Sequence, residues 1–330
     1  MNILVTGGCG FIFSNFIRYI LPKIGDNKLV NLDKLTYASN KDNLHDIEKN
    51  KNYRFYKGDI CDKTLVEKII RKEDIKIIIN GAAETHVDRS IISAIPFVTT
   101  NVLGTTTLLE VARKFDIQRF IHISTDEVYG SRAEGYFTEE DRLEPSSPYS
   151  ASKAAADMAA TSFFKTYGMP IIIARSTNNF GQYQNPEKFI PKMIVNAILG
   201  KELPIYGRGD NIRDWLFVED NCHGIQLLLS KGKNGEVYNI AGENEKQNIE
   251  ITKMILKILG KSENLIRFVK DRPGHDFRYS ISCQKIKNLG WKISDSFEER
   301  LKSTVKWYQT NDWWWKNILE KTDIDFHGKF

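Results

Sequence analysis

Cysteine is scarce in this chain of 330 residues, and the few cysteines form no pattern. They stand at Cys9, Cys61, Cys222 and Cys283, with no Cys-x-x-Cys pair and no Cys/His spacing of the kind that holds zinc. Scattered single cysteines argue against a disulfide framework. We therefore expect reduced thiols, no bound metal and a cytoplasmic protein.

Long apolar runs and blocks of one charge sign are absent as well. No apolar stretch approaches the ~18 residues that a membrane span needs, and the chain starts on a strand-like run without the segments of a signal peptide. The formal net charge of +5 is spread along the chain with no Lys/Arg block. The composition argues against a membrane protein and against a nucleic-acid-binding protein.

The first half of the chain alternates short β-branched runs with amphipathic stretches. Runs rich in Ile and Val, typical of buried strands, lie at 2–6, 28–33, 53–59, 76–80, 119–125 and 170–175. Amphipathic stretches lie between them at 11–24, 63–73, 97–115 and 149–168. This alternation predicts an α/β fold over residues 1–176, with a doubly wound, parallel Rossmann-type sheet covered by helices on both faces.

The pattern changes after residue 176. Two long, polar segments punctuated by Gly and Pro, 178–191 and 203–217, predict loops. Helices are predicted at 188–200, 219–230, 249–259 and 297–309, with one short strand at 236–242. We expect a smaller C-terminal substrate-binding region over 177–330, from which some segments return to the first domain. The tail "NDWWWKNILE" predicts either a packed amphipathic helix or an oligomer contact.

The stretch "TGGCGFIFSNF", residues 6–16, predicts a dinucleotide-binding turn. It follows a strand and opens a helix. Gly7 and Gly10 take the positions of the glycines that allow the tight bend and the close approach of a pyrophosphate. Asp33 ends the next strand, where a carboxylate binds the adenosine ribose and repels a 2′-phosphate. The pattern therefore favours NAD over NADP.

Phe13 stands where a third glycine would let the helix pack closely on the strand. Its ring leaves three outcomes open. The helix could move outward, the ring could turn away from the phosphates, or affinity for the dinucleotide could fall. We expect that the fold accommodates the ring and that NAD still binds.

Two polar clusters supply candidate catalytic groups. Tyr149 and Lys153 are four residues apart and share one helix face, where an ammonium lowers the pKa of a neighbouring phenol. Thr125, Asp126 and Glu127 end a predicted buried strand, at the edge where parallel sheets bind ligands. The adjacent carboxylates could divide acid and base roles, or they could form a simple exposed acidic turn.

These motifs together resemble the extended short-chain dehydrogenase/reductase superfamily and, within it, the dTDP-glucose 4,6-dehydratases. The resemblance runs from residue 1 to about 310. Besides the Gly-rich turn and the Tyr-x-x-x-Lys pair, it rests on "AAETHVDRSI" (82–91), "TNVLGT" (100–105), "STDEVYG" (124–130), "NNFGQYQNPEKFIP" (178–191), "GDNIRDWLFVED" (209–220) and "DRPGHDFRY" (271–279). The chain departs from the family pattern at Phe13, Ser39 and Gln182 and in the order of "RSTNNF" (175–180).

The resemblance implies a defined reaction on a nucleotide-linked hexose. Tyr149, tuned by Lys153, would deprotonate the C4 hydroxyl as NAD oxidises C4, with Thr125 hydrogen-bonded to that oxygen. Glu127 would then remove the C5 proton, and Asp126 would protonate the departing C6 hydroxyl. Hydride return to C6 would give a 4-keto-6-deoxy sugar. A C4 epimerase needs only the Tyr/Lys pair, so the Asp-Glu pair favours dehydration.

The resemblance also implies which residues surround each ligand. The cofactor-binding residues would be Gly7, Gly10, Phe11, Ile12, Asp33, Lys34, Thr36, Ala38, Asp59, Ile60, Ala82, Ala83, Thr100, Tyr149, Lys153 and Asn178. The substrate-binding residues would be His86, Thr125, Asn179, Glu187, Lys188, Pro204, Tyr206, Arg213, Asn248 and His275.

Several alternatives stay open at this stage. The same dehydration could act on a UDP- or CDP-linked sugar. The chain could be an epimerase or decarboxylase of the superfamily, or a non-catalytic nucleotide-sugar-binding protein. The resemblance further implies a homodimer in which helices 97–115 and 149–168 pair across a two-fold axis.

Overall fold

A seven-stranded sheet forms the centre of the structure, a computed structural model that describes residues 1–271 and 276–321. Its strands are β1 (Asn2–Thr6), β2 (Leu29–Asp33), β3 (Tyr53–Lys57), β4 (Ile75–Asn80), β5 (Arg119–Thr125), β6 (Ile171–Ser176) and β10 (Val237–Ile240), the last numbered after three short strands that precede it. Their order is β10-β6-β5-β4-β1-β2-β3, and every neighbouring pair is parallel. The predicted doubly wound α/β fold is confirmed.

The helices of the first half cover both faces of this sheet. They are α1 (Phe11–Ile20), α2 (Lys63–Glu73), α3 (Val87–Ile92), α4 (Ile95–Phe97), α5 (Thr105–Lys114) and α6 (Pro148–Tyr167). Apolar side chains of α1 pack in one core cluster and those of α2 and α5 in another, one on each side of the strands, while α6 contributes Ala154 to the first cluster and Ala160 to the second. The predicted helix 97–115 is α-helical only in its second part, because Val98–Gly104 forms a π-helical segment.

Helix α6 begins where its sequence dictates. Ser147 is the N-cap: its hydroxyl accepts from the backbone N–H of Ser150, and the Ser150 hydroxyl accepts from the backbone N–H of Ser147. Pro148 takes the first helical position, where its missing N–H costs nothing. The helix ends at Gly168 with φ 66°, a left-handed cap that glycine adopts without strain. These signals place Tyr149 in the first helical turn.

The C-terminal region has its own small sheets and apolar core. Its strands are β7 (Asn178–Phe180), β8 (Leu203–Tyr206), β9 (Ile212–Phe217), β11 (Glu245–Gln247) and β12 (Ile266–Val269). Its helices are α7 (Phe189–Ile198), α8 (Val218–Lys231), α9 (Asn248–Leu259), α10 (Gln284–Lys287), α11 (Phe297–Thr310) and α12 (Asp312–Lys321). The prediction that 178–191 and 203–217 are loops is wrong in part, because these segments contain β7, β8 and β9. Strands of three to six residues among Gly and Pro show too little alternation to be recognised.

Two segments of the second half return to the first. Strand β10 pairs with β6 through Val237 and Ile173, at one edge of the central sheet. Helix α8 packs against α1 in the same core cluster. The predicted strand at 236–242 therefore supplies the seventh strand of the central sheet. The domain boundary at residue 176 stays a prediction.

The tryptophan-rich tail forms a packed helix, one of the two structures that the sequence predicts for it. In α12, Trp314 and Trp315 are each 1% exposed and belong to the core cluster of the C-terminal region. The Trp314 indole N–H donates to Oδ1 of Asn43 over 2.7 Å, which ties the tail to the segment that follows β2. Among the described residues, no helix is long and apolar enough to cross a membrane.

Phe13 is accommodated by a glycine on the opposite element. Its side chain is 3% exposed, and its ring lies against Gly81, directly after β4, with an edge-to-face contact to Phe16. A Cβ atom on Gly81 would lie 2.0 Å from Cε2 of Phe13. The large residue on α1 therefore uses the space that a side chain at position 81 would fill.

We predict that Gly81→Ala destabilises the protein by about 1–3 kcal/mol, because the added methyl group overpacks against the Phe13 ring. In a Phe13→Ala background the same change should cost almost nothing, since the ring is gone. Urea unfolding of the four proteins of this double-mutant cycle measures the coupling. Equal costs in both backgrounds would show that the two positions are independent.

Candidate active site

One large cavity opens at the carboxyl ends of the central strands. It holds about 1520 Å³ of empty space, counting its open mouth. Residues that directly follow β1, β2, β4, β5 and β6 line it, as expected for the ligand crevice of a doubly wound sheet. All sixteen residues predicted to bind the cofactor line this cavity: Gly7, Gly10, Phe11, Ile12, Asp33, Lys34, Thr36, Ala38, Asp59, Ile60, Ala82, Ala83, Thr100, Tyr149, Lys153 and Asn178.

The glycine-rich turn presents backbone N–H groups to one end of the cavity. Gly7 has φ 72°, and a Cβ on it would lie 2.8 Å from Cα of Ala82, so only glycine fits. Gly10 is the N-cap of α1. Because it has no side chain to accept a hydrogen bond, the N–H groups at the start of the helix stay free. An anionic ligand at this helix terminus would be stabilised by those groups and by the helix dipole.

Asp33 is held rigidly at the end of β2. Its Oδ2 accepts from the backbone N–H of Cys9 over 2.8 Å, and its Oδ1 accepts from that of Leu35 over 2.7 Å. Burial raises the pKa of Asp33, and the two backbone hydrogen bonds oppose that rise. A carboxylate keeps further lone pairs free for a diol. Together with the turn, this geometry fits the pyrophosphate and adenosine ribose of a dinucleotide.

Lys153 is a buried lysine in the wall of the cavity. Its Nζ donates to the backbone carbonyl of Ile123 over 2.6 Å, which joins α6 to β5. Burial lowers the pKa of Lys153 to about 8, and the charge of Asp157 opposes that change. The lysine therefore gains or loses its proton close to physiological pH.

Tyr149 lies one helical turn before Lys153 and is 8% exposed. Burial raises the pKa of Tyr149, and the negative charges of Glu127 and Asp126 raise it further, while a hydrogen bond with Thr125 lowers it. A neighbouring ammonium is expected to lower the pKa of Tyr149, so the rise is opposite to that expectation. In the protein alone, burial and the two carboxylates dominate.

Asp126 and Glu127 form the start of a short 3₁₀ helix directly after β5. The Thr125 hydroxyl accepts from the backbone N–H of Glu127 over 3.3 Å and donates to Oδ1 of Asp126 over 3.1 Å. Asp126 is 2% exposed, so the interpretation as a simple exposed acidic turn is wrong. Burial, followed by the charges of Glu127 and Asp214, raises the pKa of Asp126 well above its ordinary value. This environment favours a protonated acid at Asp126.

The residues predicted to bind substrate divide into two groups. Four of them line the cavity: Thr125, Asn179, Glu187 and Lys188. His86 lies just behind, with Nε2 3.9 Å from Oε2 of Glu187. His275 falls outside the described residues.

The other four predicted substrate residues do not line the cavity. Pro204 and Tyr206 lie on β8, and the Tyr206 hydroxyl donates to Asp88 over 3.3 Å. Asn248 begins α9. Arg213 stacks on the Tyr279 ring at 4.4 Å. Its guanidinium donates to the carbonyls of residues 276 and 277 over 2.9 and 3.2 Å.

The polar residues of the cavity wall that sequence reasoning missed include Glu84, Thr85, Gln184 and Asn185. Burial raises the pKa of Glu84, and its backbone N–H donates to Oδ1 of Asn101 over 2.9 Å. Glu84 and Thr85 follow β4, so the rule that strand ends of a parallel sheet line the crevice could have found them. Gln184 and Asn185 lie in an irregular segment for which no such rule exists.

The fold and this site define a Rossmann-type protein of the short-chain dehydrogenase/reductase class. A glycine-rich turn at a helix start, a buried carboxylate and a Tyr/Lys pair share one crevice. The chain belongs to the GDP-mannose 4,6-dehydratase family, whose model matches residues 4–304.

Known proteins of similar sequence cover nearly the whole chain. The dTDP-glucose 4,6-dehydratase of Haemophilus influenzae is 51% identical and aligns with 94% of this chain and 98% of its own. The low-salt glycan biosynthesis protein Agl12 of Haloferax volcanii is also 51% identical, over 94% of this chain and all of its own. The resemblance to dTDP-glucose 4,6-dehydratases is confirmed.

Solved structures show the same likeness. The dTDP-glucose 4,6-dehydratase DesIV of Streptomyces venezuelae, solved with NAD and dTDP, is 45% identical with a TM-score of 0.94, covering 96% of this chain and 100% of that one. A UDP-glucose 4-epimerase of Thermotoga maritima is 28% identical with a TM-score of 0.88, covering 94% and 99%.

We predict that Lys153→Met stabilises the protein at pH 7 by about 1–2 kcal/mol, because it removes a buried charge at the expense of one hydrogen bond. The folded protein holds the lysine proton less tightly than the unfolded chain does. The free energy of unfolding of the wild-type protein should therefore rise between pH 8 and pH 10.5. Over this range the difference in stability between wild type and Lys153→Met should become smaller.

Urea unfolding at several pH values tests this prediction. Lys165→Met, at an exposed lysine of the same helix, is the matched control and should show no such change with pH. A gap between Lys153→Met and wild type that stays constant with pH would contradict the prediction.

Proposed function

We propose that this protein catalyses the 4,6-dehydration of dTDP-glucose with NAD as its cofactor. The observation that carries the proposal is the buried Asp126 beside Glu127, facing Tyr149 in the same crevice. An oxidoreductase or epimerase site needs only the Tyr/Lys pair, whereas removal of water needs a separate acid and base. Relatives of about half identical sequence are dTDP-glucose 4,6-dehydratases, which supports the same substrate.

The residues of the crevice fit NAD. The N–H groups at Phe11 and Ile12, at the start of α1, would bind the pyrophosphate, and Asp33 would accept from the adenosine ribose. Asp59 and Ile60 would flank the adenine, and Asn178 would lie near the nicotinamide. When bound, NAD supplies the reversible two-electron oxidation of the sugar and a positive charge near Tyr149.

Tyr149 is the proposed base for the first step. Its hydroxyl oxygen would take the proton of the sugar C4 hydroxyl while Thr125 donates a hydrogen bond to that oxygen. The Lys153 ammonium below would stabilise the tyrosinate, provided that the lysine keeps its proton. The resulting 4-ketone makes the proton at C5 acidic.

Glu127 and Asp126 are the proposed pair for loss of water. Glu127, which is half-buried, would remove the C5 proton as a carboxylate. Asp126, whose burial favours the protonated form, would give its proton to the departing C6 hydroxyl. The different exposure of the two carboxyl groups is what would separate their roles.

The substrate contacts are proposed from position. His86, Asn179, Glu187 and Lys188 would contact the sugar and phosphates at the far end of the crevice. Arg213 would turn from backbone carbonyls to the diphosphate, whose geometry matches its fork. The remaining contacts to the nucleotide would come from Pro204, Tyr206, Asn248 and His275. We further propose that residues 177–330 act mainly as the substrate region and that the enzyme works in the cytoplasm, in deoxysugar biosynthesis.

An exposed apolar face supports a homodimer. Large apolar side chains are exposed along two neighbouring helical segments, at Ile92, Ile95, Val98, Leu103 and Met158. Ile95 is 72% exposed and Met158 66%. An apolar surface of this kind on adjacent helices suits a four-helix interface between two copies of the chain.

We predict that Glu127→Gln lowers dehydration by 100-fold or more, on the order expected when a general base is removed. Oxidation at C4 does not need Glu127, so reduced cofactor should accumulate on the enzyme when dTDP-glucose is added. Mass spectrometry of the sugar product and cofactor absorbance measure the two steps. The control is Glu134→Gln, at an exposed glutamate of the following loop, which should behave as wild type.

The same assay with dTDP-, UDP-, CDP- and GDP-linked sugars tests the substrate. Dehydration should be fastest with dTDP-glucose. A Glu127→Gln enzyme with undiminished turnover, or a 4-epimer as the product, would contradict the proposed reaction. Dehydration of another nucleotide sugar in preference to dTDP-glucose would contradict the substrate only.

We predict that Ile95→Asp converts the dimer to a monomer, because a charge would be buried in the proposed apolar interface. Sedimentation velocity measures the mass in solution. Phe268→Asp, which changes an exposed apolar residue on β12, is the control and should remain dimeric. The interface is misplaced if Ile95→Asp and wild type sediment alike.

A further inference from the structure

A network of buried charges lies beneath the Tyr149–Lys153 pair, outside the wall of the crevice. Its members are Asp157 on α6, Arg175 on β6 and His122 on β5, with exposures of 1%, 5% and 1%. The Arg175 Nε donates to Oδ2 of Asp157 over 2.8 Å. His122 Nε2 lies 3.4 Å from the other carboxylate oxygen of Asp157. Asp157 is therefore the point at which three secondary-structure elements meet.

Arg175 is fixed from its other side as well. One terminal nitrogen donates to the Tyr129 hydroxyl over 2.7 Å, and that hydroxyl donates to Oδ1 of Asn239 over 2.9 Å. The guanidinium also lies 4.7 Å from the centre of the Tyr129 ring. The arginine therefore does not depend on Asp157 alone, and its position holds the carboxylate in place.

The charges of this network do not cancel. Arg175 and Lys153 are cations, and Asp157 is an anion. Burial and the charges of Lys153 and Arg175 lower the pKa of His122 well below its ordinary value, so this histidine is neutral. One carboxylate thus faces two buried cations, and the second of these is the lysine that lies below Tyr149.

The negative charge of Asp157 raises the pKa of Lys153 and, from twice the separation along the helix, also that of Tyr149, where it is the smallest of the causes. Asp157 follows Lys153 by four residues, one helical turn, and follows Tyr149 by eight. The other groups that face Lys153 and Tyr149 belong to different elements: the Ile123 carbonyl on β5 faces the ammonium, and Thr125, Asp126 and Glu127 face the phenol. Asp126 and Glu127 oppose a tyrosinate, so the ammonium must be retained against them.

We propose that Asp157 is a positioning residue: it is the buried counter-charge that keeps the proton on Lys153 rather than on Tyr149 once the pair has lost one proton. The two arrangements differ by one transfer, in which the Tyr149 O–H bond breaks and the third N–H bond of Lys153 forms. Asp157 favours the tyrosinate–ammonium arrangement. This inference rests on the proposed function in that Tyr149 is taken as the base.

Ultraviolet difference spectroscopy of the NAD-loaded protein tests this directly. The tyrosinate absorbance of Tyr149 is the spectrum of each protein minus that of its Tyr149→Phe counterpart, followed against pH. With the positive charge of NAD beside it, Tyr149 of the wild-type protein should lose its proton while Lys153 is still charged. In Asp157→Asn, Lys153 should lose its proton first and without a spectral change. The midpoint for Tyr149 should therefore rise by about one pH unit or more. An unchanged or lower midpoint would overturn the proposal.

Two further variants separate the effect of the Asp157 charge from the effect of a disturbed fold. Asp157→Glu keeps the charge and should restore a midpoint near that of wild type. Asp157→Asn/Arg175→Gln leaves no unpaired arginine, so it tests the charge effect even if the single variant folds poorly. Its midpoint should also rise, by less than in Asp157→Asn because a cation is removed together with the anion, and failure of either expectation would overturn the proposal.

The spectral test does not depend on the sugar substrate. If the midpoint shifts as expected but no nucleotide sugar is converted, the positioning role stands and the proposed function is wrong. If dTDP-glucose is dehydrated but the midpoint of Asp157→Asn is unchanged, the proposed function stands and the role of Asp157 is refuted.

Discussion

The proposed chemistry depends on keeping one ammonium group charged inside the protein. Lys153 is 5% exposed, and burying a charge costs several kcal/mol unless polar partners offset it. One partner is the Ile123 carbonyl, at 2.6 Å, and the other is the field of Asp157. Because α6 is capped at Ser147, Tyr149 is placed directly above this charge. Burial of this cation thus lowers the stability of the fold, and the cation is one that the proposed mechanism uses.

The same burial acts in opposite directions on the acid and base groups of the crevice. It lowers the pKa of Lys153, because the charged form of a lysine is the cation, and it raises that of Asp126, because the charged form of an acid is the anion. Glu127 is the neighbour of Asp126 in sequence but is more exposed. Adjacent carboxyl groups on one short turn can therefore hold different protonation states.

The nucleotide turn shows how a fold tolerates a large change at a constrained position. Phe13 replaces a glycine-like position without closing the crevice, because its ring packs over Gly81, which has no side chain. The helix terminus, Gly7 and Asp33 remain available to a dinucleotide. A change in volume on one element is thus offset by a gap on the element opposite, a relation that sequence spacing alone does not reveal.

The sequence by itself determined the alternation of strands and helices, the cofactor turn and the two polar clusters. These features depend on local periodicity and on local capping chemistry. The Ile-rich runs show the periodicity, and Ser147-Pro148 and Gly168 mark the ends of a helix. Only the tertiary structure decided that β10 returns to the central sheet, that Gly81 admits Phe13, and that Arg175 and His122 converge on Asp157. Each of these is a contact between residues 18 or more positions apart, and local sequence preferences hold no information about which distant residues will meet.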